Sequence, residues 1–275
     1  MLSVIVLSSD GYSECWEPLF MSFKEYFTGI ENYELILSTN DKTFSYPGLE
    51  IKMITHGLEA AWSKRLKDSL DQAQNDLVLV LVEDFFLRSK MNSKAFHTVV
   101  DLMNNEDIDH VRLISYGGKY KTKKSEFKIL EKIVKKTKHR FLYLPGFWKK
   151  EILKKYLVDF EMPYMAEKMG NLRSKLLKDN FYCISQDYIK NNGQFYHSSA
   201  SGAIYKGRWK EWVKDFLEKH KLEIDLNKRG LGTKEYNAEM RKKTFKSLLK
   251  TPISTSKSLF SIVTLFFQVK LKLKK

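Results

Sequence analysis

Two rhythms of apolar and polar positions alternate along the first half of the chain. Residues 2–8 form a short apolar run, whereas over 16–27 the apolar positions recur at the spacing of one helix face, with Pro18 suited to a first turn. Runs at 34–38 and 49–54 predict two more short strands. Over 60–73, Leu66, Leu70 and Ala73 share a stripe while Lys64, Arg65, Lys67 and Asp68 lie mostly elsewhere, the pattern of an amphipathic helix. Residues 76–82, Asp-Leu-Val-Leu-Val-Leu-Val, make the clearest strand. An unbroken apolar run of this length suits a strand covered on both faces, as in the middle of a parallel sheet. A helix at 89–103 and a strand at 111–115 continue the alternation. Strands alternating with helices predict an α/β layer architecture, a Rossmann-like sheet flanked by helices.

Beyond Gly117-Gly118 the pattern loosens. Residues 119–124 read as a basic loop, 140–144 as a short strand, 148–156 as a helix with basic residues outward and 165–178 as another helix. Strands are expected at 181–184 and 194–196, and an amphipathic helix at 208–220. No internal repeat or Gly/Ser linker divides the chain, so one domain over 1–232 with an appendage over 233–275 is the expected organisation.

Composition adds a bound. With 43% hydrophobic and 13% aromatic residues over 275 positions, the chain can bury a sizeable core, which excludes wholesale disorder. The formal charge of +15 is unevenly placed: residues 241–275 hold ten Lys and Arg and no acid, leaving 38 basic against 33 acidic residues in 1–240, only +5. The basicity belongs mainly to a tail, so binding of nucleic acid by the domain loses its simplest support. Cys15 and Cys183 make neither a disulfide framework nor a zinc spacing, and a reducing compartment is expected. The first strand starts without a basic region or a small-residue cleavage site, and no apolar run approaches the roughly 20 residues of a spanning helix. A cytoplasmic location is the expectation.

In open parallel sheets ligands bind beyond the carboxyl ends of strands. The first strand ends in Ser8-Ser9-Asp10-Gly11, where Ser8 and Asp10 can accept hydrogen bonds from a ribose or base; alternatively Asp10 is an ordinary turn or capping residue. Glu83-Asp84 follows the apolar strand 76–82 immediately. Two adjacent acids at that place incur desolvation and mutual repulsion unless a cation or hydrogen-bond donors compensate. A divalent cation, Mn2+ or Mg2+, bridging to a substrate phosphate would do so; a simply solvated strand end is the alternative. Trp62-Ser63-Lys64-Arg65-Leu66 opens the helix before that strand, offering a helix N-terminus and the Arg65 guanidinium to phosphate, or else a Ser63 cap with Trp62 as a staple. Walker, Gly-x-Gly-x-x-Gly, Gly-x-Ser-x-Gly and His-Glu-x-x-His motifs are all absent. Of six scattered histidines, His197, beside Ser198-Ser199, is the one candidate metal ligand.

Three stretches in this order resemble bacterial glycosyltransferases with a GT-A-type fold from capsule and lipopolysaccharide gene clusters. The first joins Trp62-Ser63-Lys64-Arg65-Leu66 to the strand ending in Glu83-Asp84-Phe85-Phe86-Leu87. The resemblance implies that Asp84, with Glu83 beside it, holds a metal ion against the diphosphate of a nucleotide sugar, although the common Asp-x-Asp is not present. The second runs from Leu144-Pro145-Gly146-Phe147-Trp148-Lys149 into Met162-Pro163-Tyr164-Met165-Ala166-Glu167, and implies that Glu167 is the general base beside the acceptor. Tyr164 stands where a tryptophan is usual. The third is Tyr205-Lys206-Gly207-Arg208-Trp209 leading to Leu222-Glu223-Ile224-Asp225 and Lys228-Arg229-Gly230. Together they imply sugar transfer from a nucleotide sugar, UDP favoured, to a lipid-linked or oligosaccharide acceptor; it is inverting if Glu167 is the base, and retaining remains open otherwise.

Two other classes compete. A non-enzymatic basic protein would use Lys119–Lys124 and the 132–138 region on phosphates, with Tyr116, Tyr120 and Phe127 stacking on bases, or would bind an anionic membrane. A metal-dependent nuclease would also place acids after a strand, but should bring further carboxylate or lysine ligands, and Phe85-Phe86-Leu87 are apolar. The tail combines a basic amphipathic segment at 244–250, an apolar stretch at 259–267 and four terminal lysines, a pattern suited to lying on an anionic leaflet. A helix packed on the core with a frayed basic end is the plainer reading.

Overall fold

The computed structural model describes residues 1–114, 120–199, 201–233, 236 and 252–272. Nine strands among these form one sheet. Its first half is parallel, with β3 (Ile51–Thr55), β2 (Glu34–Thr39), β1 (Ser3–Leu7) and β4 (Leu77–Val82) side by side. Next comes β8 (Gly146–Lys149), antiparallel to both β4 and β5 (His110–Arg112). The sheet continues through β9 (Phe181–Ile184), parallel to β5, and closes with β7 (Leu130–Ile133) and β6 (Thr122–Lys124), each antiparallel to its neighbour. This is the mixed, Rossmann-like sheet flanked by helices that the patterning predicts.

The unbroken apolar run of β4 has the expected cause. Leu77, Leu79 and Leu81 pack with α1 (Trp16–Tyr26) and α3 (Ser93–Asn105) in one core layer. Val78 and Val80 pack with Trp62, Leu66 and Leu70 of α2 (Trp62–Gln72) in the other. Each fully buried Leu or Val contributes about 1.5–3 kcal/mol, so both faces of the strand are fixed before any polar residue is considered.

The second half departs from expectation in several places. Residues 140–144 are irregular, and the strand lies later, at β8. Gly146 sits so close to His110 that a β-carbon would come 2.7 Å from its ring, while Trp148 stacks on the same ring at 3.7 Å. The Pro-Gly-x-Trp tract is therefore core strand, and α4 (Lys150–Lys154) begins only after it. Residues 194–196 are not a strand either: buried Phe195 and Tyr196 serve as anchors, and the Tyr196 hydroxyl donates to the Phe85 carbonyl at 2.8 Å. The basic loop at 119–124 contributes β6. The helix expected from 208 starts instead as the hairpin of β10 (Ile204–Tyr205) and β11 (Arg208–Trp209), with α7 confined to Trp212–Lys219. Patterning missed β7 and the short α6 (Gln186–Asn192), which Ser185 caps by accepting from the Tyr188 amide. Residues 115–119, with Tyr116 and Lys119, and the segment 244–250 lie outside the described residues.

Helix α5 (Pro163–Leu176), with Pro163 in its first turn, brings Pro163, Tyr164 and Glu167 to the carboxyl ends of β1 and β4. Against it lies α8 (Pro252–Lys272), which contains the whole 259–267 stretch. Among the described residues no helix is long and apolar enough to cross a membrane.

Candidate functional site

A cleft of about 680 Å³ opens at the carboxyl ends of β1 and β4. Ser8, Trp62, Arg65, Glu83, Asp84 and Glu167 all line it, so the sequence candidates separated by up to 159 positions meet at one place. Met162, Pro163 and Tyr164 form its lip, and Lys206 and Gly207, from the turn between β10 and β11, complete the lining.

The acids behave as their position dictates. Glu83 is 7% exposed, and burial, reinforced by the Asp84 charge, pushes its carboxyl up to about 8. Burial likewise pushes Asp84 up to about 6, a smaller rise because the Ile204 amide donates to Asp84 Oδ2 at 3.0 Å and Lys210 lies nearby. The Ala203 amide also donates to the Asp84 main-chain carbonyl at 2.7 Å. Gly202 makes this possible: its φ is +68°, and a β-carbon there would collide with the Asp84 carboxylate.

Arg65 is 5% exposed and donates through Nη1 to the Ser8 carbonyl, while its Nε has no partner in the protein. The Ser8 hydroxyl accepts from Trp16 Nε1 at 2.7 Å, which fixes the end of β1. Trp62 packs edge-on against Tyr143, with ring centroids 4.1 Å apart, and both face the cleft. Glu167 Oε1 accepts from the Tyr143 amide at 2.9 Å; burial raises its proton affinity, and this bond and the Arg112 charge partly offset the rise.

Three candidates stand elsewhere. The Asp10 carboxylate accepts from the amides of Asn40, Asp41 and Lys42, each at 3.1 Å, and so holds the loop that brings Asn40 to the cleft. Ser63 is fully buried and does not line the cleft; its amide donates to the Glu161 carbonyl at 3.1 Å, and Ala61, not Ser63, is the N-cap of α2. His197 lines a separate depression with Ser89 and Asn92 and bonds the Ser89 hydroxyl at 2.7 Å. Among the described residues no three His, Cys, Asp or Glu side chains converge as a metal cage. The Glu83–Asp84 pair still fits a hard cation, because two buried acids with raised proton affinity lack a full counter-charge and a diphosphate would supply the remaining oxygens.

Patterning missed Tyr12, Asn40, Leu58 and Tyr143 at the cleft, none of which carries a local signal in the sequence. It also missed the work of Arg229, which donates to Glu14 and to the Gly11 carbonyl and covers the Tyr12 ring at 4.2 Å. Tyr120 and Phe127, offered as base-stacking residues, are instead packed: Tyr120 lies 4.6 Å under the Arg112 guanidinium and Phe127 meets Tyr182 edge-on at 6.0 Å.

No family model matches the sequence, and no curated protein is similar to it. Solved structures are. The chain is similar to S. aureus TarS 1–349 in complex with UDP-GlcNAc, with a TM-score of 0.51, 13% identity, and coverage of 98% of this chain and 81% of that one. Against the longer S. aureus TarS chain the TM-score is 0.49 at 14% identity, covering 67% of this chain and 35% of that one, about a third of its length. The mannosyltransferase PcManGT from Pyrobaculum calidifontis, in complex with GDP-Man and Mn2+, gives 0.47 at 9% identity over 97% and 86%. The first of these establishes a shared fold: a mixed sheet, parallel in its first half, flanked by helices.

Proposed function

We propose that the chain is a glycosyltransferase of GT-A type that moves a hexose from a nucleotide sugar, UDP favoured, to a lipid-linked or oligosaccharide acceptor in capsule or lipopolysaccharide assembly. The observation that carries this is the convergence of Glu83, Asp84, Arg65 and Glu167 on one cleft at the strand ends. The TarS structure, which shares the fold, was solved with UDP-GlcNAc, and this supports a nucleotide-sugar donor.

Glu83 and Asp84 would hold a divalent cation, Mn2+ or Mg2+, whose charge offsets that of the leaving diphosphate. Arg65, which lines the cleft, supplies a fixed positive charge to the same group. Glu167, on the other side, takes the proton of the acceptor hydroxyl; its raised proton affinity makes it a better base than an exposed carboxylate, and attack from that side inverts the anomeric centre. Residues 1–232 are the catalytic unit in this reading, and the basic residues 233–275 hold it at the inner face of the cell membrane.

Turnover of a panel of nucleotide sugars tests the assignment. The expected result is hydrolysis or transfer with a UDP-sugar, together with thermal stabilisation by UDP plus manganese but not by oligonucleotides. Stabilisation by oligonucleotides alone would transfer the chain to the nucleic-acid class.

A further inference from the structure

Two exposed apolar surfaces, the outer stripe of α8 and the lip of the cleft, lie on segments joined through one buried ion pair. Along α8, Ser258, Ser261, Ile262 and Leu265 follow one helical stripe and are buried or half-buried, with Ser258 fully enclosed. Leu259, Phe260 and Val263 follow the opposite stripe and are 46%, 74% and 49% exposed. At the cleft lip, Phe160, Met162 and Tyr164 are 42%, 58% and 55% exposed.

One guanidinium fastens both. Glu161, between Phe160 and Met162, is fully buried and pairs with Arg173, whose Nη1 reaches Glu161 Oε2 at 2.8 Å; Arg173 Nη2 also donates to Ser261 Oγ of α8 at 3.2 Å. The segment that carries the lip and the inner stripe of α8 are thus tied to the same buried group.

Their charge setting selects the occupant. Residues 241–275 carry ten basic side chains and no acid. A second copy of the chain on this stripe would bring two such cationic segments together, whereas an anionic lipid surface would neutralise them. We propose that the outer stripe of α8 and the apolar lip form one docking surface for an anionic bilayer, which sets the Glu167 side of the cleft against the lipid headgroups. The docking deepens the membrane attachment proposed above for residues 233–275 and rests on it; the further statement, that an acceptor hydroxyl carried on a lipid then reaches Glu167, rests on the transferase reading.

Flotation of the full chain with vesicles of phosphatidylcholine alone, or mixed with phosphatidylglycerol, tests it. The wild type should float with the mixed vesicles and much less with the neutral ones. Phe260→Glu with Val263→Glu, and separately Phe160→Glu, should each lower partitioning about tenfold without changing Tm, since all three side chains face solvent. Equal flotation on both vesicle types, or variants that float like the wild type, would overturn the proposal. So would a dimer in solution that Phe260→Glu with Val263→Glu converts to monomer. Hydrolysis of a nucleotide sugar without vesicles, measured in parallel, reads the transferase assignment separately: it can persist when flotation fails, and fail when flotation persists.

Discussion

The two walls of the cleft are made by different kinds of chain. One wall ends β1, β4 and α2, all within the parallel half of the sheet, with an apolar layer on each face. The other comprises Tyr143, the segment from Met162 to Glu167 and the β10–β11 turn, none of it inside the main sheet. Packing holds the first wall; individual polar ties hold the second, chiefly Glu161 to Arg173 and the Ile204 amide to Asp84. The contrast teaches that loss of one methylene is shared among many neighbours on the first side, whereas loss of one charge on the second leaves its partner buried alone.

Four measurements can break or sharpen that contrast. The largest effect is expected from Asp84→Asn, which should lower transfer about 10³-fold while Tm holds or rises, because the amide still accepts from Ile204 and no longer buries a charge. A falling Tm would show that the acid contributes to structure. Next is Glu161→Gln, which leaves Arg173 charged and enclosed; urea denaturation should show a loss of about 3 kcal/mol, and a loss under about 1 kcal/mol would mean the second wall is held by packing after all. Glu167→Gln should cut kcat about 10²-fold with little change in KM or Tm, since Gln keeps the acceptor for the Tyr143 amide; normal turnover would remove Glu167 from the chemistry.

The fourth concerns pH. Glu83 and Asp84, at about 8 and about 6, hold protons in the folded chain to higher pH than unfolded carboxyls do, near 4. Between those limits the folded state binds more protons, so their contribution to stability falls as pH rises from about 4 to about 8. Tm of the free protein should decline across that window, and the increment gained from UDP plus manganese should grow from about pH 6 to about pH 8. An increment independent of pH would separate cation binding from these acids.

The first wall was legible because its signal is continuous. Six apolar residues in β4 followed by two acids announce both a central strand and a ligand end, and helical spacing over 60–73 announces α2. The second wall carried only short motifs. Gly146 matters for the room it leaves His110, and Arg208–Trp209 pairs as β11 because two residues suffice for a hairpin that the helical spacing after Trp212 masks. Ser63 illustrates the opposite error: its position at a helix start fitted both a phosphate site and a cap, yet its amide is occupied by a carbonyl 98 positions away, which no local pattern encodes. Asp10 suits either a ligand group or a turn residue by sequence, and its three amide partners from the neighbouring strand's loop show it holding a turn that is not its own.

The bond from Ile204 to Asp84 also has a consequence for how the molecule reaches its native state. It closes a span of 120 residues, and Gly202 must already be in its left-handed conformation when it does. Contacts of such long range are entropically late, so β1 to β4 can pair while the acids at the end of β4 are still open to water and ionised. In refolding, recovery of helix and strand signals should therefore precede recovery of nucleotide binding, and the interval between them is the time the chain takes to bring its distant hairpin home.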